Sequence, residues 1–313
     1  MIWDYFRLSA ILLEKVLITG SGGLLGSRLA SIISGDCEVI STHYAPLQRP
    51  NFRLMDVIDR TQVFTVVRET SPDAVVHTAA ATNVDKCETD RGWALNVNSV
   101  GTRNVAAACA SIGARLIYVS TDYVFDGLKG LYSEEDEPNP VNYYGLTKMQ
   151  GENYVRETCE NHIIARTSVV YGWNPRRPNF ATWVVDSLIN RRRIRVVEDH
   201  YNSPTLVDEL AETIREMLHS EEDGVYHVAG GERISRYGFA LKIAETFGLD
   251  GSLVVPAKMA ELRNWVAKRP QDSSLCIEKL RRDFGIQPLD VTGALSKMKE
   301  QEPNLTLARE DSR

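Results

Sequence analysis

KVLITGSGGLLGSRLA, residues 15–30, reads as a strand, a glycine-rich turn and the start of a helix. Residues 15–20 are a β-branched run that ends in glycine. Gly20, Gly23 and Gly26 then fall at G-x-x-G-x-x-G spacing. The first glycine of such a cluster allows a tight turn, the second lets the backbone approach a pyrophosphate, and the third lets helix and strand pack closely. The helix start adds unpaired N–H groups and a partial positive charge. Dinucleotide binding follows as the expectation; a tight strand–helix turn that binds nothing is the alternative.

The pattern around this turn repeats. Strand-like stretches at 38–42, 52–57, 74–80, 115–121 and 162–171 alternate with helix-like stretches at 23–34, 61–70, 91–112 and 144–159. Apolar strands alternating with helices imply a parallel sheet covered on both faces, with ligands at the carboxyl ends of its strands. The fold class expected is α/β, a Rossmann-type doubly wound parallel sheet with a smaller C-terminal substrate-binding lobe. Residues 1–172 form the dinucleotide-binding domain in this reading. Residues 173–313 form mainly the substrate lobe, with some segments returning to the sheet. Helices are expected at 180–190, 207–219, 237–247 and 291–299, with a short strand at 226–229. The polar end from residue 300 reads as mobile.

Bulk properties narrow the function. The 313 residues are 43% hydrophobic and 25% charged, as in ordinary globular proteins. A net charge of −6 argues against nucleic acid as the main partner. Cys37, Cys87, Cys109, Cys159 and Cys276 are odd in number and lack C-x-x-C spacing, which argues against a disulfide framework or a zinc site and for a reducing cytoplasm. No apolar run reaches the ~20 residues of a membrane span. Residues 1–14 carry Asp4 ahead of any basic residue, and a strand follows directly, so they read as a short docking helix or frayed extension rather than an export signal.

The second strand ends in Ser41, Thr42, His43 and Tyr44, without the acid that would bond a ribose 2′-hydroxyl. Glu38 lies at its wrong end, and the next loop brings Arg49 and Arg53. NADPH is therefore the expected cofactor, with NADH as the alternative.

Tyr144 and Lys148 form Y-x-x-x-K, which places both side chains on one helical face. An ammonium beside a phenol favours the phenolate, and the tyrosine can protonate a ketone oxygen as hydride arrives. Ser120 and Thr121 close the preceding strand and offer a hydroxyl to the developing alkoxide. Tyr143 has no lysine four residues on and is assigned to packing or substrate contact.

With these residues in hand, the chain resembles the extended short-chain dehydrogenases/reductases and, within them, the dTDP-4-dehydrorhamnose reductase family. The resemblance runs from about residue 15 to about 295. It rests on TGSGGLLG (19–26), HTAAATNVDKCE (77–88), LNVNSVGTRNVA (95–106), STDYVFDG (120–127), PVNYYGLTKMQGE (140–152), RTSVVYG (166–172), NF (179–180), DHYNSPT (199–205) and Arg269-Pro270. It implies Thr121, Tyr144 and Lys148 as the catalytic trio, with Thr121 preferred over Ser120. It implies Gly20, Gly23, Leu25 and Gly26 at the pyrophosphate, Asp56 and Val57 at the adenine, Ala79, Ala80 and Ala81 along the cofactor channel, and Ser168 near the nicotinamide. The family reduces the C4 ketone of a deoxyhexose carried on a nucleoside diphosphate, as in dTDP-L-rhamnose biosynthesis.

Substrate contacts are expected from Val169, His200 and Arg269. Val169 stands where the reductases commonly carry tryptophan. That departure keeps a second reading open: a dinucleotide-binding regulatory subunit like the beta subunit of methionine adenosyltransferase. A nucleotide-sugar epimerase or dehydratase is a third, with Asp122 as its acid but no glutamate partner. Arg176 and Arg177 are weighed as phosphate ligands against a solvated loop, and the Glu134–Glu137 run as solvated. The histidines show no metal spacing, so no metal is expected. The partners expected are a nucleotide sugar and, optionally, a second copy of the chain, with neither nucleic acid nor membrane.

Overall fold

A computed structural model describes residues 13–174, 178–262 and 265–302. The expectations for the amino-terminal segment, for Arg176 and Arg177 and for the end of the chain beyond residue 302 lie outside these residues.

Six strands, β1 (Lys15–Thr19), β2 (Glu38–His43), β3 (Phe52–Leu54), β4 (Ala74–His77), β5 (Arg115–Thr121) and β6 (His162–Thr167), join Gly224–His227 in one seven-stranded sheet. The order is β3-β2-β1-β4-β5-β6 with Gly224–His227 at the far edge, and every pairing is parallel. The chain runs outward in both directions from β1 and β4, so the crevice between their carboxyl ends is the topological switch point.

Strand alternation divides the core. Val16 and Ile18 join Leu29 and Ile33 of helix α1 (Leu24–Ile33) and Leu210, Ile214 and Met217 of the helix Val207–Leu218 on one face. Leu17 turns to the other face with Val63 and Val67 of α2 (Arg60–Thr70). A third cluster gathers Tyr171, Val184, Leu188, Ile194, Phe239, Ile243 and Leu295, all from residues after 170.

The doubly wound parallel sheet is the one expected, and β5 keeps its expected bounds. Three other strands stop early for one shared reason: the neighbour runs out. β3 ends opposite His43, the last residue of β2. β4 ends opposite Thr19, the last of β1, and Thr78 curls over to donate its hydroxyl to the Thr19 carbonyl at 2.6 Å. β6 ends opposite Thr121, the last of β5. The chain then breaks at Ser168 and Val169, where Val169 has φ +45°, and resumes as β7 (Val170–Tyr171) paired with Thr205–Leu206.

The helix expected over 91–112 is also interrupted. After α3 (Val84–Thr89) and α4 (Arg91–Ala94), a π-helical turn spans Leu95–Val100 before α5 (Gly101–Ile112). Asn98 on that turn accepts from the Ala81 N–H at 2.7 Å and donates to the Ala81 carbonyl and to Thr147 Oγ1, both at 3.1 Å. The wide turn places one amide where it pins the β4 exit to α6 (Tyr143–Thr158). Short strands at Ile194–Val197 and Val254–Ala257 and a helix at Glu278–Phe284 were not foreseen.

Candidate active site

The glycine turn is a cradle. Gly20 has φ +67°, and a Cβ there would lie 2.7 Å from the Ala79 Cα. A Cβ on Gly26 would lie 2.6 Å from the Gly20 carbonyl oxygen and 2.8 Å from Thr78 Oγ1. The turn is held by Ser21 N–H on the Thr42 carbonyl at 3.0 Å and Gly23 N–H on the Gly20 carbonyl at 2.8 Å. Gly23 begins α1 without a side-chain cap, so the first-turn N–H groups stay open to an anion. Leu25 is buried in the core under that turn.

His43 reaches back from β2 over the loop; a Cβ on Gly22 would stand 2.9 Å from its Nε2. The strand end carries no carboxylate. Arg53 is exposed and turns to the carbonyl of Phe52, whereas Arg49 is half-buried. Val57 is buried against Gly101, and its carbonyl accepts from Asn104 Nδ2 at 3.0 Å. Asp56, partly exposed, caps the turn through Oδ1 to the Ile58 N–H. Ala79 and Ala80 are half-buried at the crevice, while Ala81 is buried with Cys87 and Ala94. The uncapped start of α1 and the tight glycine turn suit a diphosphate.

Two glycines seat α6. A Cβ on Gly145 would meet the Tyr123 carbonyl oxygen at 2.0 Å, and one on Gly151 would meet the Tyr118 hydroxyl at 2.5 Å. The α6 backbone therefore lies directly on β5 and the turn after it. Asn142 caps this helix by accepting from the Gly145 N–H at 2.9 Å. Tyr144 faces Thr121 across this contact. Burial raises the pKa of its phenol, and the Thr121 hydroxyl pulls it partway back.

Lys148 is almost wholly buried and donates to the Val119 carbonyl at 2.7 Å, with Nζ 4.1 Å from the centre of the Tyr118 ring. Burial lowers its pKa to about 7. The Val119 carbonyl takes one of the three N–H groups of the Lys148 ammonium and leaves two for other partners.

Thr121 Oγ1 donates to Asp122 Oδ1 at 3.0 Å. Asp122 Oδ2 accepts from Ser273 at 2.6 Å, Ser168 at 2.9 Å and Asn202 at 3.3 Å. One buried carboxylate thus ties the β5 end to the β6 exit, to the strand residue Asn202 and to the loop residue Ser273, and burial raises its pKa. Ser120 is committed elsewhere. It donates to Glu152 at 2.6 Å, and Glu152 is held by the buried Arg166 at 2.7 and 3.0 Å. Sequence reasoning missed Asn98, Gly145 and Asp122 in its hub role; their signals are tertiary contacts.

The expected substrate residues lie apart from one another in their roles. Val169 is half-buried beside the third core cluster, at the strained φ noted above. Arg269 spends Nη2 on Asp85 at 2.7 Å and Nη1 on the Ala267 carbonyl at 2.8 Å. His200 is 2% exposed, and neither ring nitrogen has a hydrogen-bond partner among the described residues. Glu134, expected in solvent, is part-buried and accepts from the His227 N–H at 2.8 Å. Among the described residues no three His, Cys, Asp or Glu side chains converge as for a metal ion.

A doubly wound parallel sheet, a glycine cradle at its switch point and a threonine–tyrosine–lysine set beside it define an extended short-chain dehydrogenase/reductase. The model of the RmlD substrate binding domain matches residues 14–302, and the chain belongs to that family. It is 31% identical over 300 residues to dTDP-4-dehydrorhamnose reductase of Aggregatibacter actinomycetemcomitans, covering 92% of this chain and 99% of that one. It is 32% identical to methionine adenosyltransferase 2 subunit beta of Bos taurus, covering 85% and 81%. A crystal structure of dTDP-4-dehydrorhamnose reductase from Bacillus anthracis, in complex with NADP, superimposes with a TM-score of 0.86 at 33% identity, covering 92% and 99%.

Proposed function

We propose that this chain is an NADPH-dependent reductase of a nucleotide-linked 4-keto-6-deoxy sugar, with dTDP-4-dehydrorhamnose as its substrate. The observation that carries the reading is the seating of Tyr144 over Thr121 at the strand edge next to the glycine cradle. Bound NADPH supplies the hydride that reduces the sugar C4. The Thr121 hydroxyl and the Tyr144 phenol hold the ketone oxygen, and Tyr144 delivers the proton that completes the alcohol. Lys148, with a pKa of about 7, carries a proton at neutral pH that can refill Tyr144. Gly20, Gly23, Leu25 and Gly26 hold the pyrophosphate, Asp56 and Val57 the adenine end, Ala79, Ala80 and Ala81 the channel, and Ser168 the nicotinamide end. The acid-free end of β2, with His43 over the loop, supports NADPH ahead of NADH.

The division at residue 172 into cofactor and substrate regions, a cytoplasmic location and a homodimer belong to the same proposal. Among the described residues no helix is long and apolar enough to cross a membrane.

The likeness to methionine adenosyltransferase 2 subunit beta, with Val169, favours a regulatory subunit as the second reading. The dehydratase reading loses ground because Asp122 is already shared among four donors. Purified chain mixed with dTDP-4-dehydrorhamnose and either cofactor tests the proposal. Oxidation of NADPH, faster than of NADH, with formation of dTDP-rhamnose supports it. Tight NADPH binding without turnover moves the assignment to the regulatory reading.

A further inference from the structure

A second polar cluster lies one aromatic ring away from the proton donor. The strands Tyr201–Asn202 and Ile234–Ser235 pair antiparallel, and the Arg236 N–H donates to the His200 carbonyl at 2.9 Å. This ladder sets the His200 ring and the Arg236 guanidinium side by side. The Arg236 guanidinium carbon lies 4.9 Å from the centre of the Phe180 ring and also engages the Tyr123 phenol, whose ring is 5.9 Å from that of Tyr144. His200 stands edge-on to Trp265 at 5.9 Å, and Arg269 lies 5.1 Å from the centre of the same indole.

The two guanidinium groups differ in how they are partnered. Arg269 is neutralised by Asp85 at 2.7 Å. Arg236 makes no direct ion pair among the described residues; the buried Asp122 and the Tyr123 phenol act on it from nearby. Burial, reinforced by the charges of Arg236 and Arg269, holds the His200 imidazole neutral. A neutral imidazole carries one donor and one acceptor, and among the described residues neither has a partner here. A guanidinium with no direct carboxylate contact among the described residues, beside an imidazole with no partner among them, is complementary to an anionic ligand oxygen.

We propose that Arg236 and His200 form an oxyanion-binding pocket that holds one anionic group of the nucleotide sugar and so orients its ring against Tyr144. Arg236 supplies the charge, and His200 supplies a directed hydrogen bond. The proposal rests on the nucleotide-sugar reading above. The oxyanion is either the sugar-proximal phosphate or a carboxylate borne by the sugar ring; both have the planar or forked oxygens that guanidinium matches.

The test is calorimetric titration of the full-length chain, saturated with NADPH, with dTDP, dTDP-glucose and dTDP-glucuronate. Arg236→Met is expected to weaken dTDP and dTDP-glucose at least tenfold if the phosphate is the ligand. If the carboxylate is the ligand, it weakens dTDP-glucuronate alone by that factor. His200→Phe is expected to lose three- to tenfold on the same ligand, and Arg236→Lys to recover most of the Arg236→Met loss. NADPH affinity and the melting temperature should stay at the wild-type values, which separates this role from a fold defect. Changes under twofold on all three ligands in both Arg236→Met and His200→Phe overturn the proposal. Should Arg236→Met fail to fold, His200→Phe and Arg236→Lys decide alone. A wild-type chain that binds none of the three ligands removes the nucleotide-sugar reading itself, and this pocket's role with it.

Discussion

Lys148 and Tyr144 are shifted by the same burial in opposite senses of charge. Each is driven towards its neutral form, the lysine to about 7 and the phenol upward. In the mechanism proposed above, proton delivery at neutral pH depends on a lysine that is half protonated. In that proposal the ammonium form refills Tyr144, so kcat/KM should fall as pH rises through about 7. Stability should move the other way: between about 7 and 10.5 the unfolded lysine binds the proton that the folded one has lost, so folding gains with pH. A pH–rate profile and urea denaturation over pH 6–9 check both signs. A rate that climbs steadily through pH 9 contradicts the assigned role of Lys148. The Y-x-x-x-K spacing was legible in the sequence, but the Val119 carbonyl that takes the ammonium was not, because that contact depends on how α6 settles on β5.

Elements seat the site through close backbone approach. Gly145 and Gly151 bring α6 onto the β5 end, and nothing larger fits at the Tyr123 carbonyl without displacing the helix. Gly145→Ala should lower kcat by roughly 100-fold, the cost of about an ångström of misplacement, while the glycine cradle keeps NADPH binding within a few-fold. Steady-state kinetics and a cofactor titration separate the two; an unchanged kcat contradicts the seating. Elements set by local pattern were legible: β1, β5, α2 and the glycine turn carry apolar runs, caps and glycines in the chain itself. The π turn at Leu95–Val100 and the break at Val169 were not. Asn98 reaches a backbone 17 residues away, and β6 stops because β5 stops. The hub at Asp122 was hidden for the same reason, since its partners come from residues 168, 202 and 273.

At the scale of the whole molecule, buried imidazoles make the fold sensitive to acid. His77 bonds Thr19 and Thr102 through its two nitrogens, at 2.7 and 3.0 Å, and His227 lies between Arg166 and the Cys276 carbonyl. Both pKa values fall to about 3, with burial as the leading cause. As pH drops below 6.5 the unfolded chain takes up protons that the folded chain refuses, so stability is lost down to about pH 3. From pH 7 to pH 5 the loss is about 2 kcal/mol per imidazole. Urea midpoints that do not fall between those pH values contradict the burial of neutral histidines.

The central claim is that the seven-stranded sheet brings cofactor and proton donor together for ketone reduction. Its most direct test is NADPH oxidation with dTDP-4-dehydrorhamnose by wild type and Tyr144→Phe, alongside the NADPH dissociation constant of each. The account predicts turnover by wild type, a fall of 10²–10⁴-fold in the variant, and dissociation constants that agree within a few-fold. Equal turnover in the two proteins contradicts it.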